Sequence, residues 1–287
     1  MNRLSPTSAA LEGFRVMRRE PRAVLVWMLL WLAVLSAAAW AVAMGARIDI
    51  SKPVVTRNLA DVAQRFGPFA VAFIVMFLLV WATTTVASYR AVLRPDERKY
   101  FFLRLGMDEL RVAIMTVAAF VLVLVFGGTP AYLLYLIFTP IMQAVPALAR
   151  YIEFVGVMCT VALEVWLGVR LSLIAVETFA ERRFHLSSYW PVTRGRFWYL
   201  LSCYVVLAVV IGVLSIVVFS LNGLLFEIAF ARVGAGDFVR RLSVLAIAGI
   251  LAVLTASLWV LFWTLFCACQ AHAFRAIVGK GKAGVAL

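Results

Sequence analysis

The chain has 287 residues, of which 65% are hydrophobic and 14% are charged, and its mean hydropathy is +1.00. Soluble domains are about half apolar and about a quarter charged, so this composition excludes a soluble globular protein and indicates a membrane protein. The net charge of +13 does not indicate nucleic-acid binding, because Lys and Arg collect in the cytoplasmic loops of membrane proteins.

Residues 1–22 are predicted to form a cytoplasmic amphipathic helix at the membrane interface. Ser5 suits the N-cap position and Pro6 the first helical position. Four apolar residues recur at helical spacing opposite a basic side: Ala10, Leu11, Phe14 and Met17. Such a helix lies on a membrane surface, and a disordered basic tail is the alternative.

Six apolar stretches are long enough to cross the ~30 Å hydrocarbon layer of a bilayer. With both termini in the cytoplasm, the inner segments hold more than twice as many basic residues as the outer ones, as the positive-inside rule requires. We therefore expect an all-α polytopic bundle, one membrane domain over residues 1–287, with its N- and C-termini inside. The predicted spans are 23–44, 68–88, 111–128, 152–169, 199–221 and 242–269.

Residues 89–111 form the longest charged passage and are predicted to be a cytoplasmic interfacial helix. Gly106 is expected to end this helix, and Asp108 and Glu109 to begin the next, where the helix dipole favours negative charge. Basic and aromatic side chains in this segment are candidates for binding anionic lipid headgroups or a partner protein: Arg94, Arg98, Lys99, Tyr100, Phe101 and Arg104.

The apolar run that contains the third span continues to about residue 145 but is interrupted at Gly127-Gly128-Thr129-Pro130. Either the span ends at the glycines and an outer interfacial segment follows over 129–147, or the second half crosses back. A seventh crossing would place the basic residues of 170–196 outside. The positive-inside rule therefore favours the interfacial segment.

Glu164 is the one carboxylate predicted at mid-membrane depth. Such a residue is either a proton or cation site or a neutral carboxyl that is hydrogen-bonded to a neighbouring helix. It shares a helix face with Glu153, Val157, Thr160 and Gly168, and this face is expected to lie against other helices. The hydroxyls of residues 83–88 are expected to bond back to their own helix.

Residues 170–198 are predicted to be a second cytoplasmic interfacial segment. The motif Arg170-Leu-Ser-Leu, the downstream Glu177, and Trp190-Pro-Val-Thr-Arg194-Gly-Arg-Phe-Trp198 resemble the membrane domain of glycerophosphoryl diester phosphodiesterases and the related YciC-like membrane proteins. The resemblance implies a compact helical module of the bacterial inner membrane. It does not imply the phosphodiesterase activity, which belongs to a separate barrel domain in that family.

Within this segment, Arg170, Trp190 and Arg194 join the candidate lipid- or partner-binding residues. Arg170 is expected to anchor the helix ends through a lipid phosphate, with Glu177 as a protein partner if the helix continues, or to snorkel without a specific partner. The segments 14–22, 103–111 and 190–198 also align without gaps in residue character. This pattern indicates either an internal repeat or the shared demands of the membrane interface.

Catalytic motifs, cofactor-binding motifs and metal-ligand patterns are not found in the sequence. The four cysteines, Cys159, Cys203, Cys267 and Cys269, lie in apolar runs and are expected to be core thiols; His272 does not complete a zinc motif with the last two. The leading hypothesis is a non-enzymatic accessory or scaffold protein that engages anionic lipid, a partner protein or a second copy through its basic face. A transporter or channel that uses Glu164 is the alternative, and a membrane-embedded enzyme of lipid metabolism ranks third.

Overall fold

The computed structural model describes residues 5–45, 59–184, 193–231 and 237–285. Within these ranges nearly every residue is helical and there is no strand, so the prediction of an all-α protein is confirmed. The helices are α1 Pro6–Ala10, α2 Glu12–Arg19, α3 Pro21–Gly45, α4 Leu59–Leu93, α5 Met107–Val123, α6 Thr129–Ala144, α7 Pro146–Leu171, α8 Ile174–Glu181, α9 Phe197–Ala231 and α10 Asp237–Val285.

Several helices are long and apolar enough to cross a membrane. Five stretches among the described residues meet this requirement: Val71–Leu93, Lys99–Pro140, Arg150–Glu181, Phe197–Leu225 and Gly249–Val278. The helical pair Pro6–Arg19 and Pro21–Ala37, which is bent by 96°, makes a sixth when it is counted as one span. This number of spans is typical of a multi-pass membrane protein and agrees with the predicted count.

The helices form two compact units. The first unit comprises Met1–Ala9, Leu105–Tyr204 and Cys269–Leu287, and the second comprises Ala10–Arg104 and Val205–Ala268.

An aromatic core packs α3, α4 and α10 together in the second unit. The ring of Trp31 lies edge-on to Phe77 at 5.1 Å and to Trp259 at 5.6 Å between ring centroids. One turn further along α10, Trp263 donates a hydrogen bond from Nε1 to Thr85 Oγ1 at 2.8 Å. Edge-to-face pairs of this kind stabilise a core by about 0.5–1.5 kcal/mol beyond the area they bury.

The hydroxyl groups near the end of α4 bond back to their own helix, as the sequence predicts. Thr83 and Thr84 donate to the carbonyls of Leu79 and Val80 at 2.9 and 2.7 Å, and Ser88 donates to the carbonyl of Thr84 at 2.9 Å. These hydroxyls are therefore satisfied within the helix and do not require a polar path.

Helix α2 is present, and its buried residues are Gly13 and Val16. Of the apolar residues predicted to face the membrane surface, Ala10 is buried and Leu11 is 40% exposed. An added Cβ at Gly13 would lie 2.6 Å from Leu265 Cα in α10. The smallest residue, rather than the large apolar ones, therefore sets how closely the helices of this unit approach.

In the first unit, α8 packs against α5. A cluster of Met115 and Ala119 from α5 packs against Leu171 and Ile174 at the junction of α7 and α8. Six consecutive residues of α8, from Ile174 to Phe179, are buried. This stretch therefore has no solvated face, and the interfacial position of residues 170–198 stays a prediction.

The helix that begins at α5 does not end at the glycines of residues 127–128. One π turn, Leu124–Gly128, joins α5 directly to α6. Pro130 cannot donate a backbone hydrogen bond and its ring crowds the preceding turn, so a wider π turn accommodates it without ending the helix. The predicted break of the helix at Gly127-Gly128 is therefore wrong, because residues 129–144 continue the same helix before α7 begins at Pro146. The depth at which the third span leaves the bilayer stays a prediction.

Other element ends also differ from the predicted ones. α4 begins at Leu59, before Gly67-Pro68, and α9 continues past Asn222-Gly223 to Ala231.

The three segments aligned as a repeat do not share one conformation, because 14–19 is helical whereas Leu103 and Gly106 are extended. Part of the third segment lies outside the described residues. The internal repeat stays a prediction.

Candidate functional site

Residues 94–106 connect α4 to α5 without an α-helix, although the sequence analysis predicts an interfacial helix over 89–111. α4 continues to Leu93 and stops before Pro95. A proline lacks the N–H that a helix interior needs, and it disfavours helical geometry at the residue before it, here Arg94. The predicted acidic first turn of α5, with Asp108 and Glu109, is confirmed, whereas Gly106 is the N-cap of α5 and does not end a helix.

The connection contains a left-handed turn made of aromatic residues. Tyr100, Phe101 and Phe102 have φ values of 54°, 57° and 65°, and the N–H of Leu103 donates to the Tyr100 carbonyl at 3.0 Å. A non-glycine residue in this region costs roughly 1–2 kcal/mol, so three in a row require compensating contacts. We call Lys99–Phe102 the aromatic turn.

Two buried side chains donate hydrogen bonds to the backbone carbonyls of the aromatic turn. Arg90, which is 3% exposed, donates from Nη1 to the Phe102 carbonyl at 2.9 Å, and Trp27, which is 1% exposed, donates from Nε1 to the Phe101 carbonyl at 3.1 Å. The Phe102 side chain is itself 1% exposed. The strained backbone is therefore fixed by hydrogen bonds and by one buried ring.

Glu97 joins the arginines around the turn. Its carboxylate lies 3.4 Å from Arg104 Nη1, 3.8 Å from Arg90 Nε and 3.9 Å from Arg94 Nη1. Several charges that share one carboxylate hold each other in place better than an isolated surface pair does. Glu97 therefore acts as a positioning residue for the arginines on both sides of the turn.

Contacts with α2 extend this network within the second unit. Arg98 Nη2 lies 3.1 Å from Glu20 Oε1, and Arg19 donates from Nη2 to the carbonyl of Ala91 in α4. Both contacts connect the end of α2 to the region where α4 stops.

The side chains that the turn presents outward are aromatic and basic. Tyr100 is 77% exposed and Phe101 is 45% exposed. The side chains of Arg98 and Arg104 are 62% and 40% exposed, and Lys99 is exposed as well. We call Arg98, Lys99 and Arg104 the basic rim. The structure thus brings together all six candidate binding residues predicted between Arg94 and Arg104.

Sequence reasoning missed the residues that hold the turn. Arg90 and Glu97 lie in the charged passage, but nothing in their spacing shows that one is buried beneath the turn and the other joins three arginines. Trp27 lies 74 positions from its acceptor Phe101, and a contact at that separation leaves no local signal. Pro95 was the available signal for the end of α4.

The other candidate basic residues lie in the first unit. Arg170 donates from Nη1 to Thr193 Oγ1 at 3.3 Å, and its guanidinium carbon lies 5.7 Å from the centre of the Trp166 ring. α7 ends at Leu171, so the helix does not continue unbroken to Glu177. Arg194 is exposed, and Trp190 lies outside the described residues. Lipid anchoring by Arg170 stays a prediction.

Glu164 lies on α7 opposite the π turn. An added Cβ on Gly127 would lie 2.9 Å from Glu164 Cγ, and Gly127 is buried while Glu164 is exposed. The absence of a side chain at Gly127 therefore makes room for the glutamate stem. Glu153, Val157 and Thr160 of the same face line a cavity between α6 and α7.

Cys203, Cys267 and Cys269 are buried as predicted, whereas Cys159 is exposed. In the described part of the chain, no group of three or more His, Cys, Asp or Glu residues is placed to hold a metal ion.

Comparison of the chain with family models, with curated proteins and with solved structures finds no match. The aromatic turn and its basic rim are therefore the features that bear on function.

Proposed function

We propose that this chain is a non-enzymatic protein of the bacterial inner membrane that binds anionic lipid headgroups through the aromatic turn and its basic rim. The observation that carries the proposal is the exposed pair Tyr100 and Phe101, held in a left-handed turn by Arg90 and Trp27. Backbone strain that the surroundings must stabilise is concentrated at functional sites in proteins. Exposed aromatic rings on such a turn are poorly explained by folding alone.

The position of the turn favours lipid over a partner protein as the ligand. The candidate span Val71–Leu93 ends just before the turn, and the stretch Lys99–Pro140 begins with it. We infer that residues at the adjoining ends of two spans lie at headgroup depth, where aromatic rings with polar neighbours and basic side chains are enriched. The resemblance of residues 170–198 to a membrane domain without catalytic chemistry agrees with a non-enzymatic role.

The charges of the basic rim allow an estimate of how strongly the protein prefers anionic lipid. Arg98 and Arg104 also contact Glu20 and Glu97, but exposed ion pairs are weak and leave the guanidinium groups accessible. Each basic residue near an anionic leaflet contributes about 1 kcal/mol. Loss of all three rim charges should therefore weaken the preference for anionic lipid on the order of a hundredfold at most, and tenfold or more in practice after allowance for the neighbouring carboxylates.

The test is lipid selectivity measured on the whole protein. The protein and the variant with Arg98→Gln, Lys99→Gln and Arg104→Gln are placed in nanodiscs that contain equal amounts of phosphatidylglycerol and phosphatidylcholine. Native mass spectrometry of the released protein then counts the lipids of each kind that stay bound. We expect the variant to lose most of its retained phosphatidylglycerol, and the effect to shrink as salt is raised.

A charge-matched variant is the control. Arg150, Arg183 and Arg275 are exposed basic residues of the first unit, so Arg150→Gln, Arg183→Gln and Arg275→Gln remove the same charge elsewhere. This control should keep most of the phosphatidylglycerol preference. Equal losses in the two variants would show that only net charge matters and would rule out a specific site at the turn.

A further inference from the structure

A groove between α6 and α7 lies in the first unit, and the proposed function does not use it. The cavity has a volume of about 930 Å³, within the roughly 300–1,000 Å³ range of small-molecule sites. Its walls are mainly apolar, with Leu134 and Phe138 from α6 facing Ile152, Val155 and Val161 from α7.

Both walls of this groove belong to candidate membrane spans. α6 lies mostly within Lys99–Pro140, and the α7 wall lies within Arg150–Glu181. The α6 residues along the groove are exposed, with Tyr135 at 57% and Leu134 at 42%. In a bilayer such a surface contacts hydrocarbon and not water, so an acyl or alkyl chain fits the apolar part of the groove.

A carboxylate lies at one end of the groove. Glu153 and Tyr151 line it near the start of the span Arg150–Glu181, and both are exposed. At a rise of about 1.5 Å per residue, Glu153 lies about 4.5 Å from the start of that span, whereas Val161 lies about 12 Å deeper. The carboxylate is therefore at the headgroup edge and the apolar wall extends toward the membrane interior.

We propose that this groove binds an amphiphile with a cationic ammonium head and an apolar chain. The carboxylate of Glu153 attracts the ammonium group at the mouth, and the walls of α6 and α7 hold the chain. Tyr151 supplies a hydroxyl at the same depth, where a ring with a polar end suits the membrane interface. The site differs in charge from the basic rim, so the two proposals make opposite predictions about headgroups.

The experiment uses phospholipid probes that carry a diazirine in the acyl chain. Phosphatidylethanolamine and phosphatidylglycerol probes with identical chains are added separately to the whole protein in nanodiscs, and crosslinked peptides are identified by mass spectrometry. Labelling of residues 134–161 should be about fivefold stronger with the ethanolamine probe, which is about the most that an exposed ion pair contributes.

Two kinds of variant separate the head from the chain. Glu153→Gln should remove the preference for the ethanolamine probe, while Glu181→Gln, an exposed carboxylate elsewhere in the same unit, should keep it. Val157→Trp fills the groove and should lower labelling by both probes to the background that bilayer lipid gives on other exposed apolar surfaces, and Gly156→Trp gives the same test at a position with open space around it.

Competition identifies the source of the ammonium group. Displacement of the probe by excess dodecylammonium would support any cationic amphiphile as ligand, and displacement by phosphatidylethanolamine alone would assign the site to the bilayer lipid. Equal labelling by both probes in the unchanged protein would overturn the role of Glu153. Labelling that stays above this background in both tryptophan variants would overturn the proposal that the groove is the site, without bearing on the basic rim.

Discussion

Gly13 controls a close helix contact in the second unit. The Cβ of any other residue at this position would lie 2.6 Å from Leu265 Cα and 2.8 Å from Leu265 Cδ2. A backbone atom cannot rotate away as the end of a side chain can, so one of the two helices would have to shift. Trp27 and Arg90 are single residues that stabilise the aromatic turn, because each donates a hydrogen bond to one of its carbonyls.

The variant Gly13→Ala tests this contact. We expect it to destabilise the protein by about 1–3 kcal/mol, the usual cost of overpacking a core, and to lower the unfolding temperature measured in detergent. Gly249→Ala is the matched control, since nothing lies within 4 Å of an added Cβ there and alanine favours a helix over glycine. An unfolding temperature for Gly13→Ala at or above that of Gly249→Ala would contradict the tight contact.

At the level of the structural element, the aromatic turn combines strain with exposure. Tyr100 has positive φ and few contacts, since 77% of its surface is exposed. Glycine adopts positive φ without a steric penalty, whereas alanine carries that penalty. Alanine usually gives a more stable protein than glycine within a helix. At position 100 we expect the glycine variant to be the more stable of the two.

Tyr100→Gly and Tyr100→Ala remove the same ring and differ in the cost of the left-handed backbone. We expect the glycine variant to be more stable than the alanine variant by about 1 kcal/mol, as measured by thermal unfolding. Both should lose part of the phosphatidylglycerol preference because both lack the ring. An alanine variant as stable as the glycine variant would mean that residue 100 is not held in the left-handed conformation.

The sequence predicts the helices more fully than it predicts this turn. Long apolar runs require helices of membrane-spanning length, so five of the predicted spans overlap candidate spans of the structure. A left-handed conformation at Tyr100, Phe101 and Phe102 has no such signal, because these residues adopt it only when distant donors hold their carbonyls. The predicted helix end at Gly127 and Gly128 is wrong for a related reason. A π turn keeps the helix hydrogen-bonded there, although the local composition favours a helix end.

On the scale of the whole molecule, the described part of the protein has five or six helices that are long and apolar enough to cross a membrane. The hydroxyls of α4 are satisfied within their own helix, and α8 is buried against α5. In the described part of the second unit, the side chains of the basic rim and the rings of Tyr100 and Phe101 stay exposed.

We propose that Tyr100 contacts anionic lipid headgroups, and crosslinking from this position tests the proposal most directly. A benzophenone amino acid is placed at residue 100 of the full chain in living cells, and at Tyr132 of α6, which is also exposed, as a control. After illumination, the mass of the adduct identifies what each position touches. We predict phospholipid adducts at both positions, with phosphatidylglycerol enriched only at residue 100. A protein adduct at residue 100, or lipid adducts with the same headgroup composition at both positions, would contradict the account.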